Sequence, residues 1–229
     1  MCKKEEIVLA TKSIKAEDHQ LREAVMQQLD WQPEIISKDI SVGAKEGVVT
    51  LTGFVHSYME KIAAENAAKR VYGAKAVAND IEVKPRIEKT DPEIAREAVE
   101  ALKRNFTVPD SGITATVKNG LIALEGSVQW NYQREAAETA VRDLAGVKSV
   151  MNCIEVKPKV SPGNIHAKIE DALRRNAELD ARRVIVTTHD GTVELRGNVR
   201  SWVEKDEAGA AAWAAPGVTK VENNIVVTP

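Results

Sequence analysis

Cysteine is nearly absent from this chain of 229 residues: Cys2 and Cys153 are the two that it has, and they sit in unrelated places. Two cysteines cannot build a disulfide framework. Long apolar runs are missing as well. No stretch approaches the roughly 20 apolar residues needed to span a bilayer. The short run IVLA at 7–10 is flanked by charge and falls below the core of a secretory signal, about 7 to 15 residues. As written, the chain reads as soluble and cytoplasmic. A signal removed ahead of Cys2 would make it periplasmic, with Cys2 the lipid-carrying first residue of a lipoprotein. A charge excess of one sign is also lacking. Lys and Arg number 8 against 9 Asp and Glu in residues 19–85, 8 against 9 in 92–158, and 9 against 10 in 164–229. No segment carries the basic footprint of a nucleic-acid binder. The one local basic cluster, Arg174, Arg175, Arg182 and Arg183, is interleaved with Glu178 and Asp180 and reads as a solvated face.

The signatures of catalysis are missing too. His19, His56, His166 and His189 fall at unrelated positions, and no two have metal-ligand spacing with a third nearby. There is no GxSxG elbow, no Walker loop, no GxGxxG and no GxxG clamp for RNA. Adjacent acids such as Asp206 and Glu207 point apart on any element, away from a shared substrate. The sequence therefore implies no catalytic residue, no cofactor and no metal.

What the chain does contain is the same message three times. Gly47, Gly53, Gly73, Asn79, Ile81, Val83 and Pro85 recur as Gly120, Gly126, Gly146, Asn152, Ile154, Val156 and Pro158. They recur again as Gly191, Gly197, Gly217, Asn223, Ile225, Val227 and Pro229. Repetition at a spacing of 73 and then 71 residues means one folded unit used in series. No chemically reactive residue recurs in the same column, so the recurring glycines and asparagine read as structural.

Within each copy the periodicity changes in a fixed order. A first helix carries the stripe Leu21, Val25 and Leu29, matched by Ile94, Ala98, Leu102 and by Ile165, Ile169, Leu173. Asp91, Pro92 and Glu93 give a helix start, with Asp91 as the cap. Two alternating strands follow, joined through Glu46-Gly47, Asn119-Gly120 and Asp190-Gly191, pairs suited to tight hairpins. Gly53, Gly126 and Gly197 interrupt the second strand on its buried parity, where backbone has to pass close. A second helix opens with the capping-box spacing Ser57 to Glu60 and Ser201 to Glu204. The middle copy departs, with Trp130 and Gln133 in those columns, and its cap is expected to shift to Asn131. Small residues line this helix: Ala64, Ala67, Val71, then Ala137, Ala140, Leu144, then Ala208, Ala211, Ala215. Gly73, Gly146 and Gly217 are expected as its left-handed caps. A third strand, parallel to the second, closes the copy. The fold class is α+β: three tandem αββαβ modules, each a mixed three-stranded sheet with two helices on one face. Their expected bounds are 19–85, 92–158 and 164–229, preceded by a mobile tail over 1–18. The linkers 86–91 and 159–163 are short enough to keep the modules near one another.

The runs GVVTLTGFV at 47–55 and GAKAVANDIEV at 73–83, with their two further copies, resemble the BON domain, named for bacterial osmotically inducible and nodulation proteins. The resemblance covers about 200 residues. It implies a non-enzymatic, stress-associated binding module, periplasmic or lipid-anchored in some members, with phospholipid or an envelope protein as partner. Potassium sensing, or a protein-interaction or holdase-like role, is the alternative that it implies. No binding residue comes with the family motif. The scarce aromatics supply the candidates. Phe54, Tyr58, Trp130, Tyr132 and Trp202 all fall at the junction of second strand and second helix. They either pack over that helix and between modules, or meet a headgroup boundary or a partner. On the second reading Trp130 with Arg134 and Trp202 with Lys205 place a ring beside a cation, with Tyr58 and Tyr132 as further contacts.

Overall fold

The computed structural model describes residues 2–109, 112–158, 165–175 and 183–228. These divide into two compact units, one reaching to Lys84 and the other running from Pro85 to Thr228. The linker expected at 159–163, together with Glu178, Asp180 and Arg182 of the basic cluster, lies outside the described residues.

The first unit holds α1 (Cys2–Asp30), β1 (Ile40–Lys45), β2 (Val48–Val55), α2 (Tyr58–Lys69) and β3 (Ala76–Val83). The stripe Leu21, Val25 and Leu29 is buried, as are Val49, Leu51 and Val55, the strand residues that alternate onto the same side. Burying each such side chain stabilises the module by about 1.5–3 kcal/mol. Strand β1 pairs antiparallel with β2, and β2 pairs parallel with β3, which makes the sheet mixed with β2 at its centre. Both helices lie on one face; the other carries Ser41, Thr52 and Asp80 into solvent. Where the sequence suggested a tail over 1–18, the chain is helical from Cys2. The segment holds no glycine or proline to stop a helix that its Lys, Glu and Ala residues favour.

The second unit repeats this order twice. It comprises α3 (Asp91–Arg104), β4 (Ile113–Lys118), β5 (Leu121–Val128), α4 (Asn131–Arg142) and β6 (Ser149–Val156), then α5 (Ile165–Arg175), β7 (Val184–His189), β8 (Thr192–Val199), α6 (Trp202–Trp213) and β9 (Lys220–Val227). Pairing is the same in all three sheets, residue for residue: Gly53, Gly126 and Gly197 oppose Ile81, Ile154 and Ile225. A side chain at Gly126 would collide with the Gly112 carbonyl oxygen, and its φ is +134°. Glycine is required there because the edge strand bends back over the central one.

Three local expectations need correcting. Gly73, Gly146 and Gly217 do not end the second helices, which stop at Lys69, Arg142 and Trp213. The glycines sit a turn later, in Val71–Ala74 and its counterparts, closed by bonds such as Ala74 N to Val71 O at 3.2 Å. Of the expected small residues Ala64, Ala67, Ala137, Ala208 and Ala215 are buried, joined by Ala68, Val141 and Ala212, whereas Val71, Ala140, Leu144 and Ala211 are only half-buried. The cap of α3 is Thr90, whose hydroxyl and amide both bond the Glu93 carboxylate. The Asp91 carboxylate is used elsewhere: it accepts from Asn119 N at 2.8 Å and Gly120 N at 3.0 Å, fastening the hairpin turn to the helix.

Candidate functional site

The junction of second strand and second helix is a fixed corner. In the first and third modules Ser57 and Ser201 accept from Glu60 N at 3.1 Å and Glu204 N at 3.2 Å. In the middle module Trp130 has no side-chain oxygen to offer. Gln133 compensates by reaching back, its Oε1 accepting from Gln129 N at 3.1 Å and Trp130 N at 3.2 Å. The cap therefore does not move to Asn131, which is the first residue of α4, 6% exposed, with its amide donating to Glu135 at 2.7 Å. These bonds remove orphan backbone donors and hold the corner's rings in set positions.

The structure brings together some of the candidate contacts and separates others. Trp130 and Tyr132 stack, centroids 6.5 Å apart, and Tyr132 is 56% exposed. Lys205 places its ammonium 5.2 Å from the Trp202 ring. Arg134 lies over a different ring than expected: its guanidinium is 4.6 Å from the centroid of Trp213. Tyr58 is half-buried at the start of α2. The repeat does hold a basic column that the sequence reading passed over: Lys61, Arg134 and Lys205 occupy one position in the three second helices. Lys61 donates to Ile81 O at 2.8 Å. Lining up the three copies on their glycines would have found that column. Trp31, Tyr72 and Phe106, all strongly exposed, lie outside the junction.

Among the described residues no group of three or more His, Cys, Asp or Glu side chains is placed to hold a metal ion. Cys153 is an exposed free thiol on β6. Burial pushes the Glu65 carboxyl up, but hydrogen bonds from Lys69 and Asn79, with the charges of Lys69 and Lys61, outweigh it and hold the group below the ordinary glutamate value. No helix among the described residues is long and apolar enough to cross a membrane.

The BON domain family model matches residues 17–85, 90–158 and 162–229. The chain belongs to the BON domain family. Osmotically-inducible protein Y of Escherichia coli is 32% identical over 129 residues, 54% of this chain and 64% of that protein's length. Outer membrane lipoprotein DolP of Haemophilus influenzae is 28% identical over 169 residues, 69% of this chain and 84% of its own. Among solved structures, CdsD of the Chlamydia trachomatis type III secretion system aligns over 92% of this chain at 14% identity, with a TM-score of 0.26.

In each BON module the recurring asparagine ties the third strand to the second helix. Asn79, Asn152 and Asn223 donate to the carbonyls of Lys61, Arg134 and Lys205 at 3.1, 2.9 and 2.8 Å. Their own Oδ1 atoms accept from Ile81, Ile154 and Ile225. The asparagine thus locks the backbone beneath the basic column.

Proposed function

We propose that the chain is a non-enzymatic, stress-associated binding protein of the bacterial envelope whose BON modules associate with a phospholipid surface. The observation that carries this reading is the ring-and-cation corner of the second helix: Lys205 over Trp202 in the third module, and the stacked Trp130 and Tyr132 in the second. Indole and phenol rings suit the boundary between headgroup and acyl chain, and a neighbouring cation favours anionic headgroups. The two relatives, one an osmotically inducible protein and one an outer membrane lipoprotein by name, support the envelope setting. Arg134, engaged by Trp213, holds the second-module helix in place beneath the pair Trp130 and Tyr132.

The test is flotation of the full chain with liposomes containing phosphatidylglycerol. The combined variant Trp130→Ala, Tyr132→Ala, Trp202→Ala and Lys205→Gln loses at least tenfold in bound fraction, with its circular dichroism unchanged. Equal flotation of variant and parent overturns the assignment. Thermal stabilisation by potassium but not sodium, without flotation, replaces it by ion sensing.

A further inference from the structure

The first BON module has a groove of about 580 Å³ running between the α1 helix, the β1–β2 turn and the turn after α2. Its floor is Leu21 and Ala24, its wall is Tyr72, and Asp18, Glu46 and Lys75 line its polar side. The main chain at its base is fixed, with Lys75 N donating to Gly47 O at 2.9 Å.

The corresponding groove of the second module is not empty. There the chain ahead of α3 crosses it and lays Lys89 inside, so that a side chain at Gly146 would touch Lys89 Cβ at 3.1 Å and Ile94 Cδ1 at 3.0 Å. The Lys89 ammonium reaches Glu97 Oε2 at 2.6 Å. In the first module the two partners are replaced by alanine: Ala16 stands in the Lys89 column and Ala24 in the Glu97 column. A side chain at Gly73 would meet only Leu21 Cδ1, at 3.7 Å. The hairpin clamp differs in the same direction. Asp91 commits both carboxylate oxygens to the turn amides, at 2.8 and 3.0 Å. Asp18 commits only Oδ1, to Gly47 N at 3.2 Å. Glu46 is exposed and lines the groove together with the half-buried Asp18. The Lys75 side chain lies against Gly47 as its counterpart Lys148 lies against Gly120 in the module where Lys89 is bound.

We infer that the first-module groove binds an extended segment of a partner protein that presents a lysine, as residues 85–90 present Lys89 to the second module. The aliphatic part of that lysine lies over Gly73 and Leu21, and its ammonium pairs with Asp18 Oδ2 and Glu46, beside the Tyr72 ring. The fold supplies the template for the occupant, and charge complementarity supplies its sign.

The test uses the heptapeptide PRIEKTD, residues 85–91 of this chain, titrated into the isotope-labelled full chain. Amide shifts are expected at Leu21, Gly47 and Gly73, with affinity falling at least fivefold when the peptide lysine is acetylated and again in the variant Asp18→Asn with Glu46→Gln. Ala24→Glu, which restores the acid of the Glu97 column, raises affinity several-fold, and it keeps the proposal testable if the double variant fails to fold. The proposal is overturned by an acetylated peptide that binds as well as the free one. Shifts confined to Gly120, Gly146 and Ile94, or no shifts at millimolar peptide, overturn it too.

Discussion

The guanidinium of Arg134 lies 4.6 Å from the centroid of the Trp213 ring, so a cation of the second BON module is covered by an aromatic of the third. In the first and second modules the Trp213 column holds Lys69 and Arg142, which cannot offer a ring. The contact is therefore particular to this pair of modules, and it ties α4 to α6.

A double-mutant cycle on Arg134→Ala and Trp213→Ala is expected to give a coupling of about 0.5–1 kcal/mol, the usual worth of a partly exposed cation–π pair. Urea unfolding of the full chain supplies the measurement. Strictly additive effects of the two substitutions would remove the contact from the list of forces holding the modules together.

The asparagine column gives a graded prediction. Asn152 meets a third partner, Glu138 Oε2, at 3.1 Å, and Asn79 meets Glu65 at 3.2 Å. The third module has Gly209 in that column and no acid. Asn152→Ala is expected to cost its module about 3 kcal/mol and Asn223→Ala about 2 kcal/mol, at roughly one net unit per hydrogen bond. Native-state hydrogen exchange reads each module separately. A larger loss at Asn223 than at Asn152 contradicts the account.

Gly126→Ala combines a collision with the Gly112 carbonyl and a backbone angle of +134° that alanine avoids. The expected loss exceeds about 3 kcal/mol, enough to unfold a module of this size. Gly209→Ala, inside α6 and without positive φ, is the comparison: its Cβ would meet only the Asn223 side-chain amide, at 3.1 Å, which can give way where a backbone carbonyl cannot, so it is expected to shift the thermal midpoint far less. Similar midpoints for the two variants would show that the strand crossing tolerates a side chain.

Acid should weaken the first module through Glu65. Its folded value lies below its unfolded one, so the stabilisation it gives is present above the ordinary glutamate range, about 4.3, and is lost as the pH falls through the lower folded value. The carboxylate is about a third exposed, and solvent screening limits the effect at neutral pH to about 0.5 kcal/mol. The difference in stability between the parent and Glu65→Gln should vanish in strong acid. A difference that stays constant from pH 7 to pH 3 would assign it to packing instead.

Much of this is legible in the amino-acid sequence. The stripe Leu21, Val25 and Leu29 announced a buried helix face, and Asn119-Gly120 announced a hairpin, because both signals are local and periodic. Ser57 and Ser201 were readable as caps for the same reason. The second-helix ends were misplaced because Gly73 looks like a cap in one dimension, while its turn is closed by a bond between Val71 and Ala74. Asp91 was misassigned because its partners, Asn119 and Gly120, are 28 and 29 residues away. The ring over Arg134 was invisible for a related reason: Trp213 belongs to another module.

By itself the sequence determined three copies of one αββαβ module, their membership of the BON family, and the buried stripe of every first helix. Periodicity of 2 and 3.6 and a recurring glycine column suffice for that, since each constrains backbone within a few residues. Tertiary structure alone decided which groups meet: Arg134 with Trp213, Asp91 with the hairpin, Lys89 inside a groove that Ala16 and Ala24 leave open in the first module. Such encounters depend on where distant segments are brought by packing, and spacing along the chain carries no record of that.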